Sequence, residues 1–126
     1  MIKLLIEDPN VFRRALIVPW HPRLVEVYTW LCNRYGDVVA SSVYRTPEPG
    51  EALSVHNTDP CRGLDWINRR WTADYCRQVE RDINDNWLYD HDRPQMAVCK
   101  YHTVDPMQQT GWHFHCQGHE STIFRG

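Results

Sequence analysis

Two histidines separated by one residue, His113-Phe114-His115, stand near the end of a 126-residue chain. Upstream lie Ser54-Val55-His56 and, after a short polar stretch, Cys61-Arg62-Gly63-Leu64-Asp65. Three imidazoles and a carboxylate from separated segments are what a catalytic zinc site needs, because such a site takes three protein ligands and keeps a fourth position for water. If the segments converge, the chemistry is metal-dependent hydrolysis. If they stay apart, little else in the sequence names a reaction. On a strand, His113 and His115 point to one side while Phe114 and Cys116 point to the other, where a core would bury them. The two imidazoles then share one metal, or one binds metal while its neighbour moves protons, or both sit on a solvated face. His56 ends a loop. Asp65 lies between Leu64 and Trp66-Ile67, where a carboxylate is costly to bury unless a cation or hydrogen-bond donors meet it. A helix N-cap, or a partner for Arg69, is the plainer role for Asp65.

These side chains need elements to hold them. Ile2–Ile6 reads as a short strand or extended arm, and the apolar stretch Arg14–Pro19 leads into a first helix. From His21 to Tyr35, Leu24, Val25, Val27, Tyr28, Leu31 and Cys32 recur at helical spacing. Pro22 suits the first turn and Gly36 the stop. Asp37–Tyr44 reads as a strand, Thr46–Leu53 as a loop and Cys61–Ile67 as a second strand carrying Asp65. Trp71–Ile83 is helical by its i+4 apolar steps, with Thr72 as cap. Asp85–Pro94 is polar and turn-rich. Met96–Tyr101 and Trp112–Gln117 read as strands that pair as an antiparallel hairpin with a long connection. The expected class is α+β, with helices packed on a small, mostly antiparallel sheet.

Composition narrows the function classes. The length suits one domain, 1–126. The 42% apolar content, with six Trp and six Tyr, suits a packed core. The net charge of −2 and scattered Lys and Arg give no footprint for nucleic acid. Cys32, Cys61, Cys76, Cys99 and Cys116 form no Cys-x-x-Cys pair, so reduced thiols are expected. The apolar run at Met1–Pro9 is far too short for a membrane span or a signal core. Cytoplasmic synthesis without a signal peptide, and a monomer, are therefore expected.

The pattern Ser54-x-His56, Arg62-Gly63-Leu64-Asp65, His113-x-His115 resembles the zinc peptidases of the D-Ala-D-Ala carboxypeptidase, lysostaphin-type and hedgehog group. The likeness is closest to the peptidase M15 branch, which includes small phage endolysin-like proteins. Ser42-Val43-Tyr44-Arg45 looks like that family's Ser-Gly-Tyr-Arg element, and the likeness runs from about His21 to Gln117. The resemblance implies a hedgehog/DD-peptidase-like fold with Zn2+ held by His56, Asp65 and His115. It implies His113 as catalytic base or transition-state stabiliser, and Arg45 facing the substrate, where a planar guanidinium suits a carboxylate or an oxyanion. The implied substrate is a peptidoglycan stem peptide, cut at a D-Ala-D-Ala or an L-Ala-D-Glu bond. A phage or prophage enzyme reaching the wall after release fits that substrate.

The chain departs from the family in three places. Eight residues separate His56 from Asp65, against a usual six, with the insertion in Asn57-Thr58-Asp59-Pro60. Cys61 replaces a glycine, and Gly63 stands where alanine is frequent. Asp59 is a rival ligand, and Cys61 and Cys116 are soft enough to compete for zinc, although alternation turns Cys116 away from His115. Arg45 has a plainer role in an ion pair with Glu48 or Glu51, and Ser54 either orients substrate or closes its turn. His102 lines the pocket or is simply capped or exposed. His119 is expected to be solvated and His91 to be a loop residue. Two other functions compete: a non-catalytic metal-binding domain of a virion or prophage on the same fold, and an interaction module without metal.

Overall fold

The computed structural model describes residues 5–6, 18–36, 38–44, 49–50 and 54–126. In chain order the elements are β1 (Leu5–Ile6), α1 (Pro22–Tyr35), β2 (Val39–Ser42), a 3₁₀ turn (Val55–Asn57), β3 (Gly63–Ile67), α2 (Ala73–Asn86), β4 (Trp87–Leu88), β5 (Cys99–His102), β6 (His113–Gln117) and β7 (Ile123–Phe124). Five strands form one sheet in the order β1-β2-β3-β6-β5, and β4 pairs with β7 in a second, two-stranded sheet. Among the strand pairs of the described residues only β1–β2 is parallel, and an isolated parallel bridge joins Trp20 to Cys61. The class is therefore α+β with a mostly antiparallel sheet. No helix among the described residues is long and apolar enough to cross a membrane.

α1 forms where its sequence allows it. Pro22 opens the helix, the His21 ring accepts the Arg23 N–H, and Gly36 at φ +79° ends it by donating to the Cys32 carbonyl. Leu24, Val27, Tyr28 and Leu31 are buried on one face. Each fully buried leucine contributes roughly 1.5–3 kcal/mol relative to exposure. In α2 the Thr72 hydroxyl accepts the Tyr75 N–H, and Cys76, Val79 and Ile83 turn inward. Both helices pack against the same sheet face, in one core with Ala40, Leu64, Trp66, Cys99, Phe114 and Cys116. Trp66 and Phe114, both fully buried, stack at 4.1 Å between ring centres. That one-sided core fixes the direction of every neighbouring side chain on β3 and β6.

The β5 edge of the large sheet is covered. Beyond β5, α2 runs alongside and its side chains bond the strand's outward main chain. Asn84 spans Cys99 by donating to its carbonyl and accepting its N–H. Glu80 accepts the Tyr101 N–H at 2.6 Å, and Arg77 donates to the Tyr101 carbonyl at 3.0 Å. Residues 77, 80 and 84 share a helix face by their i+3 and i+4 spacing. Every outward main-chain group of Cys99 and Tyr101 is thus satisfied by a side chain.

Some boundaries differ from those the sequence suggested. α2 continues three residues past Ile83, because Asn84 and Asn86 earn their place through hydrogen bonds and not through apolar spacing. The stretch read as polar and turn-rich contains β4, whose Trp87 is buried. β7 lies beyond the last strand expected.

Candidate metal centre

Register puts the candidate ligands together. Asp65 on β3 pairs with His115 on β6, and Ser42 on β2 pairs with Asp65 from the other side. His113 and His115 are half-buried on the face opposite Phe114 and Cys116, which are 1% and 0% exposed. Cys116 therefore points away from the cluster, its sulfur accepting the Trp66 indole N–H. Cys61 is buried and engages the Gly63 carbonyl. Neither thiol belongs to the cluster.

His56 arrives on the 3₁₀ turn. Ser54 closes that turn: its hydroxyl accepts the His56 N–H, and its own N–H bonds the Asn57 side chain. Of its two suggested roles, Ser54 fills the turn-closing one. The insertion is taken up in a turn in which Asp59 and Pro60 are exposed. Thr58 ties it back to Val55, and Cys61 pairs with the segment before α1 through Cys61 N to Pro19 O and His21 N to Cys61 O, each 2.8 Å. Asp59 is outside the cluster. Gly63 is needed here: a Cβ would lie 2.6 Å from a Val55 methyl and 3.2 Å from the His56 nitrogen. The missing side chain lets the turn that carries His56 rest on β3.

The three donor atoms close on one point. Asp65 Oδ1 lies 2.9 Å from His115 Nδ1 and 3.1 Å from His56 Nε2, and the two imidazole nitrogens are 3.3 Å apart. Ligands around a tetrahedral zinc at 2.0–2.1 Å would sit about 3.3 Å from one another. Hydrogen bonding fixes the chemistry of this contact. His56 is 2% exposed, and its Nδ1 faces the Val43 carbonyl at 2.8 Å. A carbonyl only accepts, so Nδ1 carries a proton, and the neutral form of His56 presents a lone pair at Nε2. That lone pair faces a carboxylate oxygen, an arrangement that calls for a cation between them, either a proton or a metal. An imidazole whose second nitrogen donates to a main-chain carbonyl is the usual support of a metal ligand. Burial alone would raise the Asp65 pKa; where the facing nitrogens of His115 and His56 carry protons in place of a metal, bonding to them outweighs burial and holds the carboxyl well below its usual range. Among the described residues, His56, Asp65 and His115 are thus a group able to hold a metal ion.

His113 sits beside them with a different geometry. Its Nδ1 donates to the Gly111 carbonyl at 2.8 Å, which leaves the Nε2 lone pair 3.6 Å from Asp65 Oδ2. His102 pairs with His113 across β5 and β6, with ring centres 4.7 Å apart, and lies 6.1 Å from the His115 ring. It lies beside His113 and outside the lining of the adjoining cavity, and burial lowers its pKa, with the neighbouring imidazoles acting in the same direction. A cavity of about 530 Å³ begins at Asp65 and His113 and extends past Ser42 and Arg69 to Trp71 and Trp112. Its size falls within the usual range for ligand sites. Arg45 and its suggested partners Glu48 and Glu51 lie outside the described residues.

A second group, Asp90, His91 and Asp92, also brings ligand atoms together. Arg93 already bonds Asp90 Oδ2 at 2.8 Å, and the Asp92 N–H bonds Oδ1 at 3.0 Å. His91 and Asp92 are exposed, as a loop position for His91 implies. His119 was expected to be solvated and is not. Its side chain is 12% exposed, packed on the Tyr89 ring at 4.4 Å, with Nε2 3.7 Å from Asp90. The close approach of Gly118 to α1 draws it inward: a Cβ there would meet the Leu24 nitrogen at 3.2 Å.

No family model, curated protein or solved structure matches this chain.

Proposed function

We propose that this chain is a zinc-dependent peptidase that hydrolyses peptidoglycan stem peptides, on a fold of the hedgehog/DD-peptidase type. The observation that carries the reading is the meeting of the His56 and His115 nitrogens with Asp65 Oδ1 at the head of a cavity, with the His113 lone pair beside them. The substrate class comes from the motif resemblance. His56, Asp65 and His115 would hold the metal. When bound, zinc supplies Lewis acidity and lowers the pKa of water toward neutrality.

The chain's own residues do the rest. His113 Nε2, free of a proton because Nδ1 serves Gly111, takes the proton of the attacking water. It then returns that proton to the leaving amine as the peptide bond breaks. Asp65 would supply the anionic ligand beside the two imidazoles. Arg45 holds a substrate carboxylate or the oxyanion. The cavity wall at Trp71 and Trp112 excludes water from the peptide on one side.

Two measurements on purified protein test this. Metal analysis is expected to give one zinc per chain. Digestion of purified peptidoglycan is expected to release new amino termini, with His113→Ala slower by about a hundredfold or more while zinc is retained. Zinc binding with no cleavage would leave the non-catalytic metal-binding domain. Absence of zinc would sink both readings.

A further inference from the structure

The proton on His113 is placed by a loop that carries none of the candidate metal ligands. We infer that Asp105 is a positioning residue: by folding the β5–β6 connection, it fixes the Gly111 carbonyl that dictates which nitrogen of His113 is the base. The catalytic meaning of this rests on the peptidase reading; the geometric claim does not.

The argument follows the hydrogen bonds. Asp105 Oδ1 accepts the Met107 N–H, and Oδ2 accepts the N–H groups of Gln109 and Thr110, each at 3.0–3.1 Å, together with the Thr110 hydroxyl. One carboxylate thus gathers the whole turn. The Thr103 hydroxyl accepts the Asp105 N–H and donates to the Thr110 carbonyl, closing the loop at its base. The Trp112 indole donates to the Gln108 carbonyl. This framework delivers the chain to Gly111, which turns back at φ +71°, a conformation that disfavours a side chain. The Gly111 carbonyl then points at His113 Nδ1.

The alternative tautomer has an acceptor waiting. Asp65 Oδ2 is 3.6 Å from His113 Nε2. Without the Gly111 carbonyl the ring loses the acceptor that holds its proton on Nδ1, and a proton on Nε2 turns the nitrogen beside the site into a donor instead of a base.

The test reads the tautomer directly. Long-range ¹H–¹⁵N correlation spectra of the His113 ring are recorded on the full chain at alkaline pH, with and without one equivalent of zinc, for wild type, Asp105→Ala and Asp105→Asn. Wild type is expected to show the Nδ1–H form. Asp105→Ala is expected to shift toward Nε2–H, with kcat lower by roughly tenfold to a hundredfold, KM little changed and zinc content unchanged. Asp105→Asn keeps one acceptor oxygen and is expected to fall between. An unmoved tautomer in Asp105→Ala, with the amides of residues 107–110 visibly displaced, overturns the proposal. If Asp105→Ala loses its folded spectrum, an Asp105→Asn ring indistinguishable from wild type overturns it instead. A tautomer shift in a protein that cleaves nothing sustains the positioning role and removes the peptidase reading. Cleavage with a tautomer independent of Asp105 does the reverse.

Discussion

Two clusters in this chain use the same residue types and end in opposite conditions. At His56, Asp65 and His115, a main-chain carbonyl fixes one proton, so a ring lone pair is left pointing at a carboxylate. At Asp90, His91 and Asp92, an arginine and a main-chain N–H already answer the buried carboxylate, and the other two side chains are in water. The first cluster is electrostatically incomplete without a cation; the second is complete. Residue identity and spacing do not separate them. What separates them is which hydrogen-bond partners the fold supplies and how much solvent it removes.

The contrast predicts a ranked set of effects. The largest concerns zinc itself. His56→Ala, Asp65→Ala or His115→Ala each removes about a third of the ligation, on the order of 3–5 kcal/mol or a thousandfold in affinity. Asp92→Ala and His91→Ala should leave affinity unchanged. Competition against a chromogenic chelator measures both, and equal losses at the two clusters would erase the distinction.

Next comes a stability effect confined to the second region. Thr122 is fully buried, donates to the Tyr89 carbonyl at 2.9 Å and accepts the His119 N–H. Thr122→Val should cost about 1–3 kcal/mol in urea unfolding, since it strands buried polar groups, and leave zinc binding intact. A loss of zinc in that variant would show that the regions are coupled.

Gly63→Ala should act the other way. The added methyl pushes the 3₁₀ turn off β3 and moves His56, weakening zinc by about tenfold, the usual scale for support of a ligand. Chelator competition again decides, and an unchanged affinity would mean that the turn gives way without displacing the ring.

The smallest effect is on acid stability. Bonding to Arg93, helped by the Asp92 N–H, lowers the Asp90 pKa. Its contribution is therefore present above the ordinary carboxylate pKa of about 3.9 and is lost as pH falls through the lower folded-state value. Asp90→Asn should reduce Tm slightly at pH 7, and the gap to wild type should close below about pH 4. A gap that widens in acid would contradict the pairing.

Much of the first cluster was legible in the sequence because strand alternation is strict. Phe114 and Cys116 had to face the core, so His113 and His115 had to share the other side. The spacing of Leu24, Val27 and Leu31 marked α1 for the same reason. The determinant of the His56 tautomer was not legible: it is a main-chain carbonyl at Val43, and any residue there would offer one. The use of Gly63 was also hidden, because a glycine in a strand does not reveal which segment will lie on it. β4 and β7, two residues each, are too short for any periodicity. His119 followed a glycine and looked like a tail, yet Gly118 is where the chain tucks beneath α1.

The asparagine, glutamate and arginine that α2 extends to β5 have a consequence for recognition. With those rungs occupied, an extended peptide cannot be read there by joining the sheet as a further strand, and a second chain cannot zip onto that side. On the proposed peptidase reading, a peptide substrate would lie across the histidine-bearing surface instead of along β5, and be selected by its side chains and termini. Peptides of unusual chirality or branching, which pair poorly as strands, are not disadvantaged by such a scheme.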